Sequence, residues 1–123
     1  MKILVIGQGG REHALAWKLS QSKKSEIVFV APGNGGTSTE EKCLNVSIKV
    51  NDFPGIKKFV IEEQIELVVI GPEDPLVNGL VDYLQDLNLS QPHHQLHILR
   101  HVEKDSLFQG LHLNMDLIFL FLL

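Results

Sequence analysis

The sequence contains a single cysteine, no extended basic cluster and no apolar run of membrane-spanning length. Cys43 alone cannot form an intrachain disulfide, and the first residues lead into a charged helix without the apolar core of a signal peptide, so we expect a cytoplasmic protein. The net charge of -4 argues against a nucleic-acid partner, because nucleic-acid surfaces need clustered lysine and arginine. The apolar run at 117–123 is less than half of the roughly 20 residues that cross a bilayer, so no membrane partner is expected.

The first 87 residues alternate short apolar segments with helical patterns, in a chain long enough for one domain. We predict strands at residues 2–6, 27–30, 46–50 (the weakest) and 67–70. We predict helices at residues 11–20, 54–64 and 76–87. The apolar spacing of the first helix predicts a buried side formed by Ala14, Leu15, Trp17 and Leu19. Because the strands are continuously apolar, the predicted fold class is α/β, an open parallel sheet with helices on both faces, truncated after about three to four strands.

A glycine-rich segment, Gly7-Gln8-Gly9-Gly10-Arg11, follows the first predicted strand and opens the first predicted helix. The first N–H groups of a helix lack internal partners and carry the positive end of its dipole, so this turn is suited to holding a phosphate. Its glycines allow an anion to approach the backbone closely. The other interpretation is that the glycines only form a tight turn and that Arg11 is solvated.

The same segment fits the dinucleotide fingerprint only in part. Gly7 and Gly9 match G-x-G-x-x-G, but Glu12 stands at the third glycine. We expect Glu12 to prevent the close packing of helix on strand that a third glycine permits. In addition, no acidic residue follows the second strand where a ribose hydroxyl would be bound. A dinucleotide site is therefore disfavoured.

Two further loops follow predicted strands, Ala31-Pro32-Gly33-Asn34-Gly35-Gly36-Thr37 and Gly71-Pro72-Glu73-Asp74-Pro75-Leu76. Each alone is ordinary turn chemistry. Together with the first loop they fall at the carboxyl ends of parallel strands, where ligands of such sheets bind. Asn34 and Thr37 can hydrogen-bond sugar hydroxyls or phosphate oxygens, and Glu73 offers a carboxylate to a positively polarised group. A phosphorylated sugar fits these residues better than a dinucleotide does.

In order and spacing, the block from Gly7 to Leu19 and these two loops resemble the N-terminal domain of the phosphoribosylamine-glycine ligase family, over about residues 1–87. The resemblance implies a Rossmann-like pre-ATP-grasp domain of a purine-synthesis enzyme, an ATP-dependent carbon-nitrogen ligase. That family joins glycine to 5-phosphoribosylamine through glycyl phosphate, releasing ADP and phosphate. ATP and magnesium are the implied cofactors, but their binding site belongs to later domains that cannot be read in this chain.

The resemblance also implies which residues bind substrate. By matching position these are Gly9, Gly10, Arg11, Glu12, Asn34, Gly36, Thr37, Gly71, Pro72 and Glu73. No catalytic residue and no metal ligand is predicted, and His13 is interpreted as a packing or hydrogen-bonding residue. The isolated chain is therefore expected to bind 5-phosphoribosylamine without ligating it, and the parent protein is either monofunctional or fused to other purine-synthesis domains. The alternative is a non-catalytic module that binds a phosphosugar or nucleotide.

The composition changes abruptly at Ser90, so we predict a family domain at residues 1–89 and a poorly structured, non-family tail at 90–123. Three interpretations of the tail compete. His93, His97 and His101 would share one face of a helix and could ligate a metal. The apolar end could be a membrane anchor. The third is a frameshift or alternative splice near Asn88.

The third interpretation can be checked by back-translation. Residues 94–101, read from the third base, permit Pro-Ala-Ala-His-Leu-Glu-Ala, which resembles the family's continuation. The shifted phase would also explain the histidine-rich composition of the tail, because CA-rich codons encode histidine in this frame. We therefore favour a shifted reading frame or an altered splice over a selected metal site or anchor.

Overall fold

Five parallel strands form one sheet in the computed structural model, which describes residues 1–72, 75–90 and 96–100. The strands are β1 (Lys2–Gly7), β2 (Ile27–Pro32), β3 (Cys43–Asn45), β4 (Leu67–Ile70) and β5 (His97–Arg100). The helices are α1 (Gly10–Ser20), α2 (Phe53–Glu62) and α3 (Pro75–Ser90), with a short 3-10 turn at Thr37–Thr39. The predicted α/β class with a parallel sheet is confirmed.

The strand order is β3-β2-β1-β4-β5. The chain therefore winds outward from β1 to β3, returns to the other side of β1 as β4, and winds outward again. This reversal between β1 and β4 is the point at which ligands of open parallel sheets bind. Ile6 pairs with Ala31 of β2 and with Ile70 of β4, so the carboxyl ends of the three strands lie level with one another.

Hydrophobic residues cover both faces of the sheet, as predicted. One face packs Leu4 and Ile6 of β1 against α2 and α3, through Ile56, Val60, Leu80 and Leu84. The other face packs Ile3 and Val5 against α1, through Leu15, Ala16 and Leu19. The connections that leave β1 and β4 therefore lead to helices on opposite faces. In open parallel sheets this arrangement creates the crevice in which ligands bind.

The buried stripe of α1 differs from the predicted one. Leu15 and Leu19 are buried as expected, but Ala14 is exposed, Trp17 is 46% exposed and Ala16 is fully buried. The stripe follows the spacing i, i+3, i+4, i+7 of one helix face, and its first member is Glu12. Trp17 lies off that face, so its apolar character did not decide its position.

The third strand was predicted at residues 46–50 but lies at Cys43–Asn45. Its register is fixed by β2, since Val28 pairs with Cys43 and Val30 with Asn45. The apolar residues that suggested a strand, Val46, Ile48 and Val50, instead pack against the core as partly buried side chains. Core contact, not sheet pairing, explains their apolar pattern.

The sheet has one strand more than the three to four predicted, because β5 pairs in parallel with β4. β5 lies inside the segment expected to be a poorly structured tail. His97 is on a strand, so it does not share a helical face as the metal interpretation required. His93, His101 and the apolar run at 117–123 lie outside the described residues. Within the described ranges no helix is long and apolar enough to cross a membrane.

Asn88 connects the end of α3 to the start of β5. Its side chain donates a hydrogen bond to the carbonyl of Leu96 (3.1 Å) and accepts one from the Leu96 N–H (2.9 Å). Leu96 itself is buried against the core at 4% exposure. This paired contact positions the chain for entry into β5.

We expect Asn88→Ala to lower the free energy of unfolding by about 1–2 kcal/mol, because it leaves two backbone groups without partners. Urea denaturation of the full chain measures the change. Asn51→Ala, at an exposed position, is the matched control. Equal stability of the two variants would contradict this role for Asn88.

Candidate functional site

Three loops meet at the carboxyl edge of the sheet. The first loop (residues 7–10) follows β1, the second (33–40) follows β2, and the third begins at residue 71 after β4. The Gly33 N–H donates to the Gly7 carbonyl (3.0 Å), and the Gly71 N–H donates to the Ile6 carbonyl (3.0 Å). The predicted clustering of the loops at one edge is therefore present in the fold.

The N-terminus of α1 opens onto this edge. Gly9 is the extended N-cap residue and the helix begins at Gly10. A Cβ added to Gly10 would meet no atom within 4 Å, so the backbone there is open to close approach. Arg11 is half-buried in the same first turn. The helix dipole and these first N–H groups favour an anion at this position.

Glu12 lies beneath the loops and is only 6% exposed. Its Oε2 accepts a hydrogen bond from the Gly9 N–H (3.1 Å), which uses one of the amides predicted to face a phosphate. A Cβ on Gly7 or on Gly71 would overlap the Glu12 side chain. Glu12 was expected to keep helix and strand apart; instead its side chain fills the space that the two glycines leave.

The side chains of the second loop bond mainly to the loops themselves. Asn34 Nδ2 donates to the Gln8 carbonyl (2.8 Å), and Asn34 Oδ1 accepts from the Thr37 N–H (2.9 Å). The Thr37 hydroxyl accepts from the Asn34 N–H (2.8 Å) and donates to Asn45 Oδ1 (2.6 Å). Thr37 is completely buried. Direct contact of Thr37 with a ligand would require these bonds to break, so Thr37 holds the loop in this structure.

His13 links α1 to the far end of the second loop. Its Nε2 lies 2.8 Å from Glu40 Oε1. Gly36 makes room for the ring, because a Cβ there would lie 2.6 Å from His13 Nδ1. The packing and hydrogen-bonding role interpreted for His13 agrees with this geometry.

Sequence reasoning missed Asn45 and Glu40 as supports of the site. Asn45 ends β3 at the carboxyl edge, but the third strand was predicted to begin after it. Glu40 is 27 residues from His13 along the chain, so no local pattern connects them. Of the predicted third loop, Gly71 is buried and Pro72 half-buried, whereas Glu73 lies outside the described residues.

Cys43 begins β3, and its Sγ lies 3.7 Å from the Ala16 carbonyl of α1. Burial raises the pKa of the Cys43 thiol above its ordinary value, a hydrogen bond with Ser20 lowers it, and the charge of Glu40 raises it. The net raised pKa keeps the thiol protonated near neutral pH. A protonated, partly buried thiol is a poor nucleophile, so Cys43 is a packing residue.

Together these features define a Rossmann-like α/β domain with a candidate anion site at the carboxyl edge of its sheet. Residues 1–98 match the family described as phosphoribosylglycinamide synthetase, N domain. The chain belongs to this family, and the resemblance drawn from its three loops is confirmed. The match extends past residue 89, at which the sequence analysis places the end of the family domain. That boundary stays a prediction.

The chain is also similar to curated proteins named phosphoribosylamine-glycine ligase. The protein from a Nostoc species is 56% identical over 89 residues, which cover 72% of this chain and 21% of that protein. Those from Xanthomonas campestris and Escherichia coli are 61% and 58% identical over 82 residues, covering 67% of this chain and 19% of each relative. The chain thus spans about a fifth of the length of these relatives.

The glycines of the first loop differ in what they tolerate. Gly7 has φ +140°, which L side chains rarely adopt, and Glu12 occupies its Cβ space. We expect Gly7→Ala to lower the free energy of unfolding by about 2 kcal/mol or more, through strain and overlap. We expect Gly10→Ala, in open space, to change it by less than about 1 kcal/mol. Thermal unfolding followed by circular dichroism compares them, and equal losses would contradict this assignment of Glu12.

Proposed function

We propose that this chain binds the phosphoribosyl part of 5-phosphoribosylamine, as the N-terminal domain of a phosphoribosylamine-glycine ligase. The observation that carries the proposal is the helix N-terminus at Gly10, where a Cβ would meet no atom within 4 Å, on the edge where the three loops meet. The names of the relatives support the same substrate. A phosphate is the group that this backbone geometry favours.

The proposed binding uses positioning and electrostatics. The phosphate would lie at Gly10, held by backbone N–H groups, the helix dipole and the Arg11 guanidinium. The ribose would lie along the second loop, near Asn34 and Gly36. Because Asn34 and Thr37 are already hydrogen-bonded within the loops, they would present a preformed backbone surface to the sugar. A preformed surface lowers the ordering cost of binding.

For the whole ligase we propose ATP-dependent joining of glycine to 5-phosphoribosylamine. Glycine would be activated as an acyl phosphate with release of ADP, and the amine would then displace phosphate. Among the described residues, no group of three or more His, Cys, Asp or Glu side chains is placed to hold a metal ion. We assign ATP and magnesium to the part of the relatives that this chain does not match. Cytoplasmic location and fusion to further purine-synthesis domains belong to the same proposal.

We expect Arg11→Ala to weaken binding of ribose 5-phosphate about tenfold, because a charge-assisted hydrogen bond to the phosphate is lost. Isothermal titration of the full chain measures the dissociation constant. Lys58→Ala, which removes a positive charge from the exposed side of α2, is the matched control. Ribose without phosphate should bind much more weakly than ribose 5-phosphate. Equal affinities of the parent chain and Arg11→Ala for ribose 5-phosphate would contradict contact between Arg11 and the phosphate.

We expect no ligation by the isolated chain, because it matches only the N-terminal fifth of the relatives. ADP release is measured with ATP, magnesium, glycine and 5-phosphoribosylamine, against blanks that lack one substrate. Release that requires both glycine and the amine would overturn this expectation. A non-catalytic binding module would also bind the phosphosugar without releasing ADP. A full-length relative therefore serves as the positive control for ADP release.

We also propose that the residues after 89 are read from a shifted frame or an altered splice. The back-translated string Pro-Ala-Ala-His-Leu-Glu-Ala supports this proposal. Sequencing of genomic DNA and transcript across the codons for residues 85–107 is expected to reveal a frame that continues the family pattern. An uninterrupted present frame in both would contradict the proposal.

A further inference from the structure

The crevice between β1 and β4 contains a negatively charged side chain. The strand order reverses between these strands, and their connections lead to α1 on one face and α3 on the other. Glu12 lies at this point, against Gly7 at the end of β1 and Gly71 after β4. It is 6% exposed and is fixed by the hydrogen bond from Gly9. The crevice that this fold offers a ligand is therefore partly filled by a carboxylate.

A ligand that spans the crevice would meet this carboxylate. In doubly wound sheets a dinucleotide crosses from the first helix N-terminus over the end of the neighbouring strand, with its pyrophosphate near the turn. Here that path leads from Gly10 over Glu12 to Gly71. A pyrophosphate would approach a like charge in a site that is largely shielded from water, where repulsion is strong. The bulk of the Glu12 side chain also occupies the space that a third glycine would leave.

A single phosphate can avoid the same conflict. Gly10 lies outside the space that Glu12 fills, because a Cβ built on Gly10 would have no atom within 4 Å. The Gly9 N–H already donates to the Glu12 carboxylate. The N–H groups left for an anion are therefore those that follow Gly9 in the first turn of α1. A monophosphate there would remain in contact with the helix N-terminus and with solvent.

We infer that Glu12 is a specificity-determining residue: it excludes ligands that continue from the first phosphate into a pyrophosphate, and it limits the site to sugar monophosphates. The inference rests on the proposed function for the identity of the accepted ligand. Specificity of this kind comes from a repulsive group placed against the competitor. Glu12 supplies both the charge and the bulk.

The test compares ribose 5-phosphate with ADP-ribose, which contains the same ribose phosphate extended by a second phosphate and adenosine. Dissociation constants of the full chain for both ligands are measured by isothermal titration, with Glu12→Ala, Glu12→Gln and Glu62→Ala. Glu62 is the matched control, since it is an exposed glutamate on α2. Circular dichroism and thermal unfolding establish that each variant is folded.

The parent chain and Glu62→Ala are expected to prefer ribose 5-phosphate by about tenfold or more. Glu12→Ala should reduce this preference about tenfold by removing charge and bulk, and Glu12→Gln should reduce it less by removing only the charge. If Glu12→Ala does not fold, Glu12→Gln decides, because it keeps the packing. An unchanged preference in the folded Glu12 variants, or equally tight binding of both ligands by the parent chain, would overturn the inference.

The two proposals fail in different ways. Failure of the parent chain to bind ribose 5-phosphate would contradict the proposed function. In that case a gain of ADP-ribose binding in Glu12→Ala would still support exclusion by Glu12, and no gain would contradict it.

Discussion

The buried side chain of Glu12 is the interaction on which the arrangement of the site depends. It begins the buried stripe of α1, caps the helix through the Gly9 N–H and fills the space beside Gly7 and Gly71. One carboxylate thus fixes helix α1 relative to the ends of both central strands. Positions 7 and 71 require glycine, because the Glu12 side chain occupies the space that a Cβ would fill there. At Gly10 no protein atom imposes that requirement, which leaves the backbone accessible to a ligand.

The second loop is held independently by side chains from three elements. Asn34 and Thr37 bond to each other and to Asn45 at the end of β3, and His13 of α1 contacts Glu40. These bonds hold the loop in the arrangement described. A loop held in this way, beside the open helix N-terminus at Gly10, would suit a small, rigid anionic ligand better than a long flexible one.

The fold class, most strand positions, the clustering of three loops at one edge and the family could all be predicted from the sequence. They depend on continuous apolar strands and glycine-rich turns, which are local signals. The sequence was insufficient where long-range contacts decide. Trp17 is exposed although apolar, and the third strand lies before the apolar residues that suggested it, since pairing with β2 sets its register. Glu12 was expected to prevent close packing of helix on strand, because a charged residue is not expected in the buried i, i+3, i+4, i+7 stripe of a helix. The partners Asn45 and Glu40 carry no local pattern, and the β5 pairing depends on β4.

Phosphate binding at the open N-terminus of α1 is the proposal on which the function of this site depends. The most direct test is a titration of the 15N-labelled full chain with ribose 5-phosphate, followed in amide spectra, with ribose as the control. We expect the largest shifts at the amides of Gly10 and Arg11, saturating together, and little response to ribose. Shifts confined to other parts of the chain, or equal responses to ribose and ribose 5-phosphate, would contradict it.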